Sequence, residues 1–140
     1  MKLQKRYILI VGVVLAVLLA LAAGLLFWSR RPFRGLEAAD IAEAAVLVGP
    51  PDVTLELEGA EIGTLAELLG DVRITRPDQS YTEYAGQTVL FTLTMTDGTK
   101  TSVGAFNPFL IIDGTGYRTA YEPCEALNRF ANELLRERGG

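Results

Sequence analysis

The chain has 140 residues, 49% of them hydrophobic, with a single cysteine and no histidine. One thiol cannot form an internal disulfide, a CxxC redox pair or a cysteine zinc site, and without histidine the commonest general base is missing. All seventeen acidic residues follow residue 35, whereas the first 34 residues carry six basic residues and no acid. Phosphates should repel the acidic part, so we expect no nucleic-acid partner.

The first predicted element is a transmembrane helix over residues 7–28, a run without a charged residue. At about 1.5 Å per residue, such a helix reaches roughly 33 Å, enough for a hydrocarbon core of about 30 Å. Its end residues, Tyr7 and Trp28, have side chains that favour the lipid headgroup region. Basic residues flank the run on both sides: Lys2, Lys5 and Arg6 before it, and Arg30, Arg31 and Arg34 after it. We therefore expect the lipid bilayer as a partner.

A cleaved signal peptide is an alternative interpretation of this run, since residues 20–22 (Ala-Leu-Ala) match a cleavage site. The apolar run continues through Trp28, however, and exceeds the usual signal-peptide core of about 7–15 residues. A lipoprotein would need a cysteine after residues 21–23, where Gly24 stands. We predict an uncleaved, single-pass signal-anchor.

The orientation of the span follows from the length of the acidic region rather than from the flanking charges. Each flank carries three Lys or Arg residues, so the positive-inside rule is nearly balanced. Short basic tails stay in the cytoplasm, and long acidic domains are translocated largely regardless of charge. We expect a cytoplasmic tail over residues 1–6, a basic juxtamembrane linker over residues 29–35 and an extracytoplasmic domain over residues 36–138.

Within the span, small side chains recur every four residues, at Gly12, Ala16, Ala20 and Gly24. On a helix this spacing places them along one stripe, where two backbones can approach closely. The pattern predicts pairing of the span with itself or with the span of another membrane protein. Chance is the alternative explanation, because spans rich in Gly and Ala often show this spacing.

The first half of the domain is predicted to contain one or two helices and two or three strands. Residues 36–48 fit either a helix or a strand. Residues 53–58 alternate apolar and polar side chains, which is typical of a half-buried strand. Residues 61–69 change to helical spacing of apolar side chains, and residues 72–75 fit a short strand. Residues 77–86 are predicted to be a loop.

The second half is predicted to contain two hairpins and a closing helix. Residues 88–96 alternate strongly, with Leu90 alone breaking the polar face, and an Asp-Gly turn at 97–98 leads to a partner strand over 100–106. Residues 109–121 fit a second hairpin, and a helix begins near Pro123. Because hairpins dominate the predicted order of elements, we expect an antiparallel sheet with two helices packed on one face. This is an α+β fold.

Few residues in the chain have a side chain and a sequence context suited to catalysis or metal binding. We predict no catalytic, cofactor-binding or metal-binding residue. The Asp-Gly turns lack the spaced acids of a calcium loop, and Cys124 is either a small buried side chain or a thiol at a helix start. Tyrosine combines contact area with a polar tip and suits interfaces. The candidate partner-binding residues are aromatic, namely Tyr81, Tyr84, Tyr117 and Tyr121, with Phe106 and Phe109 as further material; the alternative is that most of them pack in the core or at its edges.

Residues 36–135 resemble small uncharacterised extracytoplasmic domains of Firmicutes single-pass membrane proteins and lipoproteins. The resemblance lies in an early Asp-Ile at 40–41, a helix over 62–69, a threonine-rich strand ending in Asp-Gly at 97–98, and an Ile-Ile-Asp-Gly-x-x-Tyr hairpin at 111–117. It implies a location and a fold type, and it assigns no catalytic residue.

The function expected from these features is a non-catalytic binding or interaction module at the membrane. It would act in envelope sensing or as an accessory subunit of a membrane complex. Two alternatives remain open: a hydrolase-like enzyme that uses carboxylates alone, and a PepSY-like or inhibitor-like domain acting on a protease.

Overall fold

The computed structural model describes residues 2–27 and 29–139. The first element, α1 (Lys2–Phe27), is one continuous helix. Its segment Gln4–Gly24 is long and apolar enough to cross a membrane, and none of it is buried against the rest of the chain. The predicted interface residue Tyr7 is exposed within this helix, whereas Trp28 lies outside the described residues.

Seven strands form one antiparallel sheet with the order β2-β1-β4-β5-β6-β7-β3. Asp-Gly turns close the β4–β5 and β6–β7 hairpins; Gly98 and Gly114 adopt positive φ angles of 88° and 85°, which glycine tolerates without strain. The strands are β1 (Ile41–Gly49), β2 (Val53–Glu56), β3 (Ile74–Pro77), β4 (Thr88–Met95), β5 (Lys100–Phe106), β6 (Phe109–Ile112) and β7 (Thr115–Thr119).

Two helices, α2 (Gly59–Asp71) and α3 (Tyr121–Leu134), pack on one face of the sheet. The core between the layers is apolar, since no polar or charged side chain is buried in the described part of the chain. Val46, Phe91 and Val103 are register partners on neighbouring strands and are fully buried under the helices. The predicted α+β fold with an antiparallel sheet is thereby confirmed.

Residues 36–48, which fitted a helix or a strand, form a short 3-10 turn (Ala38–Asp40) and then β1. Pairing with β4 decides this, because it places Ala44, Val46 and Val48 in the core, where their apolar surface leaves water. The helix boundaries differ by about two residues from expectation, since α3 begins at Tyr121 rather than near Pro123. Similarly, β3 begins at Ile74 rather than at residue 72.

Residues 30–36, which include most of the predicted juxtamembrane linker, lie against the domain; we call this segment the strap. Arg30 forms an antiparallel bridge with Ile74, with N–H to carbonyl distances of 2.7 and 2.8 Å. Phe33 and Leu36 pack against the core. The strap therefore covers the outer edge of β3, an edge that would otherwise be open to pairing with other chains.

Candidate functional site

The face of the sheet opposite the helices carries a row of apolar side chains and glycines. Side chains alternate between faces along a strand, so the neighbours of the core residues point to this second face. The row crosses five strands in register and consists of Leu47, Leu90, Gly104, Ile111 and Gly116. Leu47, Leu90 and Ile111 are half-buried. This face is therefore less polar than the alternation of apolar and polar residues at 53–58 and 88–96 suggested.

The loop between β3 and β4 folds over one end of this face. Its two tyrosines, Tyr81 and Tyr84, lie over Phe109. Their ring centroids are 6.3 and 5.9 Å from the centroid of the Phe109 ring. Phe109 is only 1% exposed although it lies outside the core under the helices. The loop thus forms a second, small aromatic cluster on the far side of the sheet.

Polar contacts hold this loop on β7. The Asp78 N–H donates to the Gly116 carbonyl at 2.8 Å, and the Gly116 N–H donates to Gln79 Oε1 at 3.1 Å. Arg118 lies 4.8 Å from the centroid of the Phe109 ring, and its Nε donates to Asp78 Oδ2 at 2.9 Å. One arginine therefore joins the aromatic cluster to the loop.

Asp78 accepts hydrogen bonds that favour its charged form. The Ser80 hydroxyl, the Ser80 backbone N–H and then Arg118 lower the pKa of Asp78 from 3.8 to about 2. The carboxylate stays ionised at any pH well above this value, so the contact with Arg118 does not titrate near neutrality.

An open cleft of about 440 Å³ lies between the loop and the sheet. Its walls include the rings of Tyr81, Tyr84 and Phe106 and the side chains of Leu90 and Ile111, and none of its lining residues is acidic or basic. Apolar walls with a few hydroxyl and amide groups are typical of sites that bind uncharged or apolar groups. The cleft offers no acid–base pair.

The structure brings two of the four predicted tyrosines together and separates the other two. Tyr81 and Tyr84 border the cleft, and Tyr84 is 59% exposed. Tyr117 is half-buried against the core under the helices. Tyr121 is 60% exposed at the start of α3 and does not line the cleft.

The other walls of the cleft were predictable from the sequence only in part. Phe106 was named among the aromatic candidates, and Leu90 was noted as the one apolar residue on the polar face of its strand. No feature of the sequence marked Ile111 as a binding residue. Gly116 was missed as a contact point for Tyr81, because a close approach between residues 35 positions apart leaves no local pattern.

A wider cleft of about 630 Å³ lies beside α3 and is lined mainly by polar side chains, including Glu125, Arg129, Glu133 and Arg136. At its margin, Asn107 Nδ2 donates to the Tyr121 carbonyl and to Glu125 Oε2, while Asn107 Oδ1 is buried without a partner among the described residues. We favour the apolar cleft as the candidate site, because aromatic and aliphatic side chains line it and no acidic or basic residue does, whereas charged side chains line the wider cleft.

Cys124 is fully buried, and its Sγ lies 3.6 Å from the Phe109 carbonyl oxygen. Burial, with a smaller contribution from Glu125, raises the pKa of this thiol from 9.0 to about 12. The side chain is a core residue and not an activated thiol. Within residues 2–27 and 29–139, no three His, Cys, Asp or Glu side chains cluster as a metal site would require.

The predicted pairing stripe, Gly12, Ala16, Ala20 and Gly24, lies on α1 with every member exposed. A Cβ added at Gly12 or Gly24 would meet no atom within 4 Å. The stripe is therefore accessible to another helix, and its pairing stays a prediction.

Comparison of the chain with family models, with curated proteins and with solved structures finds no match. The resemblance to Firmicutes extracytoplasmic domains accordingly stays a prediction.

Proposed function

We propose that this chain is a membrane-anchored binding module whose extracytoplasmic domain captures an apolar segment of another protein in the cleft beside Tyr84. The observation that carries the proposal is the cleft itself, which has apolar and aromatic walls and no Asp, Glu, Lys or Arg side chain. Tyr84 is 59% exposed, although exposing an aromatic side chain to water is unfavourable. Such a module suits envelope sensing or an accessory role in a membrane complex.

The anchoring part of the proposal rests on α1, whose segment Gln4–Gly24 is uncharged from Tyr7 onwards and is not buried against the rest of the described chain. A helix that is apolar on all sides is stable in lipid or in a large core, and the domain does not cover it. These features support our proposal that the protein is a single-pass protein of the cell membrane.

Membrane orientation can be tested with a cysteine introduced at the exposed Glu122. With the domain outside the cell, Glu122→Cys should react with a membrane-impermeant thiol reagent in intact cells. The unmodified chain is the control, because buried Cys124 should stay unlabelled. Labelling only after lysis would place the domain in the cytoplasm and contradict the proposed orientation.

The cleft can be tested by comparing two exposed tyrosines. Tyr84→Ala should weaken partner capture roughly tenfold, since truncating an aromatic anchor commonly costs more than 1 kcal/mol. Tyr121→Ala is the matched control, because Tyr121 is equally exposed but lies outside the cleft. The measurement is quantitative co-purification of the full chain from its native membrane after cross-linking. Equal recovery of bound proteins with both variants would contradict the cleft as the binding site.

A further inference from the structure

The junction between the span and the domain is held in a defined position. Arg30 and Ile74 exchange two backbone hydrogen bonds, and Arg31 Nε donates to the Gly70 carbonyl at the end of α2 at 2.8 Å. α1 ends at Phe27, three residues before Arg30. Three residues extend at most about 11 Å. Arg30 must therefore lie within about 11 Å of the end of the helix, and its bridge partner Ile74 lies one strand spacing further, whatever the angle between helix and domain.

This junction is basic, in contrast to the rest of the domain. Residues 29–36 and 70–77, which meet at the Arg30–Ile74 bridge, contain five arginines and a single acid, Asp71. Over residues 35–140 as a whole, acids outnumber bases by seventeen to seven. The junction is thus net positive, whereas residues 35–140 as a whole are net negative.

Four of these arginines have no acidic partner. Arg31 lies 3.7 Å from Asp71, and the next acid after β3, Asp78, is occupied by Arg118. The other four arginines are exposed and form no ion pair within the part of the chain that the structure describes. We call them the arginine patch: Arg30, Arg34, Arg73 and Arg76.

We propose that the arginine patch binds the headgroups of anionic phospholipids and holds the domain on the membrane surface with the β3 edge toward the bilayer. This inference rests on the proposed membrane anchoring by α1. Arginine pairs well with phosphate because its planar guanidinium offers several donors. Arg30 follows the end of α1 by three residues, a reach of about 11 Å, which is close to the screening length of about 10 Å at 0.1 M salt. The acidic remainder of the domain would be repelled by the same surface, which favours one orientation.

The test uses the full chain reconstituted in vesicles of phosphatidylcholine alone or mixed with phosphatidylglycerol. A fluorophore on Glu122→Cys reports the position of the domain, because the Ala120 N–H bonds the Arg73 carbonyl and residue 122 follows two positions later. Lipids that carry a nitroxide on the headgroup quench this fluorophore when the domain lies on the surface. Quenching should be stronger with the anionic lipid and should fall as salt rises from about 0.1 to 1 M, which shortens the screening length to about 3 Å.

The decisive variant is Arg73→Gln/Arg76→Gln in the labelled background. Each arginine near an anionic surface changes the equilibrium between the surface-bound and the unbound domain about fivefold. Removing both should therefore lower the ratio of surface-bound to unbound domain by about 25-fold. Lys100→Gln/Arg136→Gln is the matched control, because it removes the same charge from exposed residues outside the strap and β3. Retained quenching in the control would support the assignment.

Three results would overturn it. Equal quenching in both lipid mixtures, or an equal loss in the control variant, would show that the patch does not hold the domain. A chain that fails to float with either vesicle would overturn the anchoring by α1 and this inference with it, so the two failures are distinguishable. A chain that floats without lipid-dependent quenching overturns the inference alone.

Discussion

Phe91→Ala is expected to destabilise the domain by about 3–5 kcal/mol. Phe91 is fully buried at the centre of the sheet, and its ring packs edge to face on Phe130 of α3 at a centroid distance of 6.2 Å. Truncation removes this contact between the sheet and α3 and leaves a cavity that close-packed neighbours can fill only in part. Since small domains are stable by about 5–15 kcal/mol, the loss is a large fraction of the total.

The measurement is urea unfolding of the full chain in a mild detergent, followed by the loss of sheet circular dichroism. Thr92→Ala is the control, because Thr92 is the next residue on the same strand and is exposed on the other face. Phe91→Leu should fall between the two, as it leaves a smaller cavity. A Phe91→Ala variant as stable as Thr92→Ala would contradict the packing of α3 on this strand.

Gly116→Ala is expected to cost about 1–3 kcal/mol and to displace the loop that borders the cleft. A Cβ at this position would lie 2.5 Å from the Asp78 carbonyl oxygen and 2.5 Å from the nearest Tyr81 ring carbon. Neither group can yield without moving the loop, because the Asp78 N–H is bonded to the Gly116 carbonyl. Faster hydrogen exchange at the Asp78 amide, together with weaker partner capture, would report this displacement.

Gly63→Ala is the matched control for this substitution and should change stability in the opposite direction. Gly63 lies in α2, where an added Cβ would meet no atom within 4 Å. Replacing glycine by alanine inside a helix is expected to stabilise by about 0.5–1 kcal/mol. Unchanged exchange and unchanged partner capture in Gly116→Ala would show that Tyr81 does not pack on β7.

Hairpins and helices were predictable where the evidence was local. The alternation of residues 88–96 and the turn at Asp97-Gly98 correctly predicted β4 and its pairing with β5, because a strand period and a turn depend on adjacent residues. Residues 36–48 were ambiguous, because Ala and Glu favour a helix while Val46 and Val48 favour a strand. Only hydrogen bonding to β4 decided between the two.

The candidate site was predictable only in part. Tyr81 and Tyr84 were identified by residue type, but their packing on Phe109 joins segments 25 or more residues apart. Tyr117 was equivalent to these two tyrosines by residue type, yet its position on β7 directs its side chain toward the helices. Which face a tyrosine occupies depends on the register of its strand, and a shift of one residue would reverse it.

The apolar span, the acidic domain and the antiparallel α+β fold follow from composition and from periods of a few residues, which the chain carries locally. The cleft and the arginine patch do not. Each joins residues that are distant in the chain, Tyr84 with Ile111 in one and Arg30 with Arg73 and Arg76 in the other. The strand order and the strap on β3 bring these residues together. The sequence could not predict this, because contacts between distant residues produce no local periodic pattern.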